Sequence, residues 1–274
     1  MTDPINMAEK ATNQIDLESK LITVASGKGG VGKTWLSVTL AHALSHEGRR
    51  VLLFDGDLGL ANVDIQLGLV PDRDLGDVIN GSSDLAGIVT TYQDNSNPRG
   101  QLDIIPGRSG SGNLGTLARE RLKGLRTGLI AMAARYDHVV LDLSAGVDAA
   151  VTTLSDHRGR IFVVMTGDPT SLTDAYAFIK LTVMRDPQAD IQIVVNNVAS
   201  RQDGEKAFNA ISQACKNFLG FQPKLATIVK TDAKVIDSIR NQIPILSRHP
   251  QSDAAKAVEE LAASIPAMSK AMAG

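Results

Sequence analysis

Gly27-Lys28-Gly29-Gly30-Val31-Gly32-Lys33-Thr34 fits the spacing G-x-x-x-x-G-K-[ST], and the chain on either side supplies the setting this loop requires. Before it, Leu21-Ile22-Thr23-Val24-Ala25 is short, apolar and β-branched, the pattern of a buried strand. After it, a helical pattern runs to about Glu47. A strand, a glycine-rich turn and a helix N-terminus aim several backbone N–H groups at one place, with the positive end of the helix dipole behind them. Glycines let that backbone close on an anion without Cβ clashes. Gly27, Gly29, Gly30, Val31 and Gly32 therefore form a phosphate cradle, Lys33 reaches the β and γ phosphates of a nucleotide, and Thr34 offers a hydroxyl to Mg2+. A chance glycine-rich turn would not carry all eight residues in this strand-to-helix setting. Lys28 is the odd member, since a second lysine repels Lys33 unless an anion offsets both.

Working outward, strand-like apolar runs recur at 51–54, 102–105, 138–141, 160–165, 191–195 and 225–228, with helical stretches between them. Strands that are apolar throughout, rather than alternating, are buried on both faces. Alternated with helices, they predict an α/β, doubly wound, mostly parallel sheet covered by helices on both sides. Segments 80–83, 94–100 and 107–115 are rich in Gly, Ser and Asn and read as loops. The expected organisation is a flexible N-terminal segment over 1–20, one ATPase domain over 21–265 and a short tail over 266–274.

In such sheets ligands bind at the carboxyl ends of the strands, so residues just past each strand are the candidates. Asp55 and Asp57 follow the second strand and bracket the expected phosphate position. A carboxylate there can organise Mg2+ through water or position an attacking water, and the competing reading is a pair that caps the next helix. Asp142 ends an apolar strand, where an acid behind Thr34 binds Mg2+ through water, and Gly146 follows as a hinge. Asn196 ends a later strand, where a carboxamide can read the edge of adenine, and Asp232 is a second candidate for the base pocket.

Ser26 to Thr34, S-G-K-G-G-V-G-K-T, resembles the loop of the MinD/ParA ATPases, the deviant Walker A family. That resemblance implies a P-loop NTPase fold of the SIMIBI type with ATP sandwiched between two chains, Lys28 reaching the phosphates held by the other chain. It implies that Asp57 activates water and Asp55 supports the metal shell. Asp142 with Ala145 and Gly146 fits the family's D-x-x-[AP]-G switch, and Asn196 its base-binding position. Lys28, Lys33 and Asp57 become the catalytic candidates, ATP/ADP and Mg2+ the cofactors. Trp35 stands where the family has a small polar residue, and it reads as a core-facing aromatic.

Two further stretches resemble the FlhG/FleN branch, regulators of flagellar number and placement: Asp57 to Asp64 with Leu67-Gly68-Leu69, and Asp168 to Tyr176 with Ile179-Lys180-Leu181. The likeness covers roughly residues 21–265. It implies an ATP-dependent homodimer that hydrolyses slowly, restrains a flagellar transcription activator and stimulates a signal-recognition-type GTPase. Asn13-Gln14-Ile15-Asp16-Leu17 echoes the branch's N-terminal activating motif without its Arg. The alternatives are a MinD-like cell-division-site regulator and a ParA-like partitioning ATPase.

Composition weighs on those alternatives. With 28 Lys plus Arg against 30 Asp plus Glu, the net charge of −2 gives no chain-wide attraction to nucleic acid, so direct DNA binding is not expected. A single cysteine, Cys215, excludes an intrachain disulfide and reads as a core residue of a cytoplasmic protein. No apolar run is long enough to span a bilayer. Val258, Leu261, Ile265, Met268 and Met272 are spaced as one stripe, but Pro266 interrupts it and Lys270 is its only basic neighbour. The expected reading is a last core helix and a tail with weak lipid contact at most, peripheral at the inner membrane or cell pole. His42 and His46 lie four apart on the first helix, and with no third ligand legible they read as a solvated or partly buried pair.

Overall fold

The computed structural model describes residues 14–57, 61–94, 99–107 and 117–267. Eight strands form one sheet in the order β3-β4-β2-β5-β1-β6-β7-β8. They are β1 (Leu21–Ser26), β2 (Arg50–Gly56), β3 (Thr90–Tyr92), β4 (Gln101–Ile105), β5 (His138–Ala145), β6 (Arg160–Met165), β7 (Asp190–Val198) and β8 (Lys224–Lys230). All pairs are parallel except β3 with β4.

The residues of β1 explain the layering. Leu21 and Ala25 join one apolar core while Ile22 and Val24 join the other, so a run with no polar gaps feeds both faces of the sheet. One face is covered by α2 (Lys33–His46) and α11 (Asp253–Ala263), with α9 (Ala233–Arg240) and α10 (Ile245–Arg248) beside them. The other is covered by α5 (Arg119–Met132), α6 (Ala149–Leu154), α7 (Pro169–Arg185) and α8 (Arg201–Leu219). Short α3 (Val63–Leu67), α4 (Leu75–Ile79) and a 3-10 turn (Ala86–Ile88) complete the connections.

Burial differs between helices in step with their composition. Along α8, Ala207, Ile211 and Cys215 recur every four residues and are the buried stripe of an otherwise polar helix. By contrast α2 is buried all round, because α11 closes over the side that faces away from the sheet; Leu36, Leu40 and Leu44 are fully buried. Each such side chain contributes roughly 1.5–3 kcal/mol on leaving water. Val258, Leu261 and Ile265 are buried against α2, which makes the first part of the expected stripe core rather than lipid anchor. Met268, Lys270 and Met272 lie outside the described residues.

Two local features depart from expectation. Residues 14–19 are helical (α1) where a flexible segment is expected: Leu17 packs on the core and Glu18 pairs with Arg126 at 3.3 Å, which anchors this turn. The edge strand β3 has no counterpart among the expected strands. Three residues give no readable period, and β3 is held by its antiparallel pairing, by the Thr91 hydroxyl donating to Asp103 at 2.7 Å and by Tyr92 packing on the core.

Candidate phosphate-binding site

Strand β1 hands the chain to α2 through a loop whose shape depends on two close approaches. The carbonyl of Asp174, on α7, lies where a Cβ on Gly27 would sit, so any other residue would push α7 away. Gly32 has φ 92° and packs against the carboxamide of Asn196, which together exclude a side chain there. Gly32 is also the N-cap of α2; it makes no side-chain cap and no acid occupies the first turn. The amides and the positive dipole end are thus left for an anion from outside the chain.

Lys33 and Thr34 open α2, and Lys33 is only 8% exposed although it is a lysine. Its charge is tolerated because Asp142 lies behind it, at 1% exposure on β5. The Asp142 carboxylate accepts a hydrogen bond from the Ser37 hydroxyl at 2.9 Å, and Thr34 lies beside it. Its pKa is still raised: burial pushes it up first, and Thr34, Lys33 and Ser37 oppose without cancelling. Ser37 has no place in the expected site; its one readable signal is a polar residue inside an apolar helix, four after Lys33.

Asp55 sits opposite Asp142 in the β2–β5 register. Burial, then the Asp142 charge, raises its pKa, although three backbone amides draw it the other way. Those amides are the finding at this residue: Asp57 N and Asn62 N at 3.1 Å, and Val63 N at 3.1 Å. Asp55 thus tethers Asp57, Asn62 and Val63 by their backbones, a capping job compatible with a metal role. Asp57 itself is half-buried at the end of β2, on the rim of the site. Leu58, Gly59 and Leu60, part of the flagellar-branch resemblance, lie outside the described residues. Gly146, at the end of β5, donates its N–H to the Ser26 carbonyl at 2.8 Å, which joins the switch segment to the loop.

Lys28 points outward, and its ammonium donates to the Thr170 hydroxyl at 2.9 Å in the first turn of α7. Thr170 lies in the Asp168 to Tyr176 stretch of the flagellar-branch resemblance, and no role in the site was expected of it. Beside the loop opens a cavity of about 350 Å3, lined by Gly30, Gly32, Trp35, Asn196, Asp232 and Ile236 among others. Trp35 is 5% exposed and belongs to the core, as expected, while forming part of this wall. Asn196 does reach the loop, where its NH2 donates to the Val31 carbonyl at 2.8 Å. Asp232 borders the cavity, but its oxygens accept from Lys234 N at 2.9 Å and Ala254 N at 3.3 Å, at the starts of α9 and α11. Both candidate base readers therefore also hold the backbone that frames the cavity.

The donor set suits an anion paired with a hard cation. Backbone amides and Lys33 face the phosphate position. Thr34 and the Asp142 carboxylate lie side by side, and both buried acids have raised pKa values that a divalent cation would reverse.

Residues 22–245 match the CobQ/CobB/MinD/ParA nucleotide binding domain. The antiactivator FleN of Pseudomonas aeruginosa is 34% identical over 243 residues, covering 89% of this chain and 85% of the relative. The flagellum site-determining protein YlxH of Helicobacter pylori is 29% identical, over 73% of this chain and 65% of its own length. Among solved structures, the cell division ATPase MinD of Pyrococcus furiosus superposes with a TM-score of 0.73 at 25% identity, covering 89% of this chain and 97% of that one.

Proposed function

This chain belongs to the CobQ/CobB/MinD/ParA nucleotide-binding family, and from that premise we propose that it is a slowly hydrolysing ATP switch that dimerises on ATP and regulates flagellar number, placement and gene expression. The observation that carries the nucleotide part is the contact between the loop and β5. Ser37 donates to Asp142, with Thr34 and Lys33 alongside, directly behind amides that no side chain caps. The flagellar part is supported by the similarity to FleN and YlxH over most of the chain.

In this reading Lys33 and the loop amides hold the β and γ phosphates, where fixed donors stabilise charge that develops in transfer. Mg2+, when bound at Thr34 with Asp142 behind it, supplies charge neutralisation for those phosphates. Asp57, on the rim, orients the attacking water. Asp55 acts one step removed, by keeping the Asp57 segment in place through its three amide bonds. Lys28 leaves Thr170 and crosses to the phosphates of a second copy of this chain, so turnover is slow until two chains meet. Transcription activator and GTPase partners belong to the flagellar reading and are recognised outside this site.

Light scattering with ADP and with ATP, on the wild type and on Asp57→Ala, tests the switch. A monomer with ADP, a dimer with ATP and a persistent dimer in the variant are expected, with Lys28→Ala weakening the dimer. An unchanged mass despite confirmed ATP binding would sink the role given to Lys28.

A further inference from the structure

The carboxyl end of α2 carries a second cluster that nucleotide chemistry does not use. His42 and His46 are one helical turn apart, so both imidazoles leave the same face, with ring centroids 4.2 Å apart. The structure supplies the third group that the sequence does not reveal: Asp94, two residues past β3. His42 Nε2 and His46 Nε2 both address the same oxygen, Asp94 Oδ2, at 2.6 and 2.7 Å. One ligand atom from each residue lies within 4.8 Å of the others. His42 is fully buried, while the His46 and Asp94 side chains are 22% and 12% exposed, so the cluster is enclosed yet reachable from one side.

We propose that His42, His46 and Asp94 form a binding site for a zinc-type divalent transition metal that pins the β3 edge of the sheet to α2. Two imidazole nitrogens and one carboxylate oxygen are a three-ligand zinc set, which leaves a further position for water. Mixed nitrogen and oxygen donors favour zinc and its neighbours over Mg2+, which prefers oxygen alone. A metal at about 2.0–2.1 Å from each ligand sets tetrahedral neighbours roughly 3.3 Å apart. The two nitrogen–oxygen separations therefore open by about 0.6–0.7 Å to admit it, along side chains one of which, His46, is partly exposed.

Two features of the surroundings favour a cation. His46 is the last residue of α2, where the negative end of the helix dipole and the terminal carbonyls gather. The Asp94 carboxylate, one oxygen of which faces both rings, also brings negative charge to the cluster. One feature limits affinity. His42 Nδ1 is buried with no hydrogen-bond partner among the described residues, so nothing fixes the tautomer that binds metal. Such a missing outer bond weakens metal sites about 10–100-fold, so micromolar rather than nanomolar binding is expected.

The proposal is independent of the nucleotide reading, and its test does not use hydrolysis. The full chain, free of any histidine tag and stripped with chelator, is titrated with Zn2+ by calorimetry and with Co2+ by visible absorption, excess Mg2+ being present in both. One Zn2+ per chain, Co2+ bands of a low-coordinate nitrogen-oxygen site and a higher melting temperature with Zn2+ are expected. His46→Gln and Asp94→Asn, chosen because neither residue is fully buried, are each expected to weaken binding at least about tenfold and to abolish the thermal shift. His249→Gln, at the separate His249–Asp237 pair, is expected to change neither. Absence of saturable binding, or binding retained in both cluster variants, would show that the three residues form a hydrogen-bonded cluster only.

Discussion

The two edges of the sheet bury polar groups in opposite ways. At the carboxyl edge Lys33, Asp142 and Asn196 are buried beside the phosphate loop, and Asn196 also borders the cavity. Toward the amino edge the buried polar groups face one another. Tyr136 donates to Asp103 at 2.7 Å, Thr23 meets His157 at 2.7 Å, and Lys20 spans the carbonyls of Ala133 and Tyr136 at 3.0 Å. Burial of a polar side chain is therefore no mark of a site in itself. What separates the edges is whether donors and acceptors are spent inside the chain or held ready for something else.

Substitutions sort the two edges by which property they damage. The largest effect is expected from Lys33→Ala: ATP turnover falls by about 100-fold or more, the scale for losing one fixed donor to developing charge. Its urea midpoint should move less than that of the amino-edge variants; a collapse of stability with nucleotide affinity intact would erase the distinction. Next comes Tyr136→Phe, which takes one bond from the buried Asp103 carboxylate and should cost about 2 kcal/mol of unfolding free energy, with ATP affinity unchanged.

The third prediction uses pH. Burial depresses the pKa of His157 to about 3, with Arg126 and Arg185 adding to the effect. Unfolding restores a value near 6.5, so the unfolded chain binds more protons across this window. The contribution of His157 is fully present above about pH 6.5 and is lost as pH falls toward 3. Between pH 7 and pH 5 the wild type should therefore lose about 2 kcal/mol more stability than His157→Gln, read from urea curves at both values. Equal losses would mean that the ring is not held neutral. The smallest effect is expected for Ser37→Ala, which removes one bond to Asp142 and should slow turnover about fivefold, or ~1 kcal/mol, while leaving the fold alone.

The carboxyl edge was the legible one. Its loop is contiguous, its acids follow apolar runs, and strand ends in a parallel sheet are where ligands gather, so position could be inferred from order along the chain. What each side chain bonds to was less legible. Asp55 reads as a metal-shell acid until its three amide partners are seen, and those lie up to eight residues further on. Asn196 finds the loop, but by gripping Val31, a contact across 165 residues that no local pattern encodes. Ser37 is a common residue type with no motif of its own, and Thr170 sits in a recognisable stretch that does not say what its hydroxyl meets. The histidine pair on α2 was visible as spacing. Its partner Asp94 was not, because it follows a three-residue edge strand that depends on pairing with β4 to exist.

Trp35 gives the molecule an optical property. It is the chain's single tryptophan, and it stands in the wall of the cavity beside Gly32. All indole emission from the unlabelled protein thus originates at that wall, one residue past Thr34. The protein carries its own gauge of whatever enters the cavity or shifts the loop, read without a dye, a tag or a second indole to subtract.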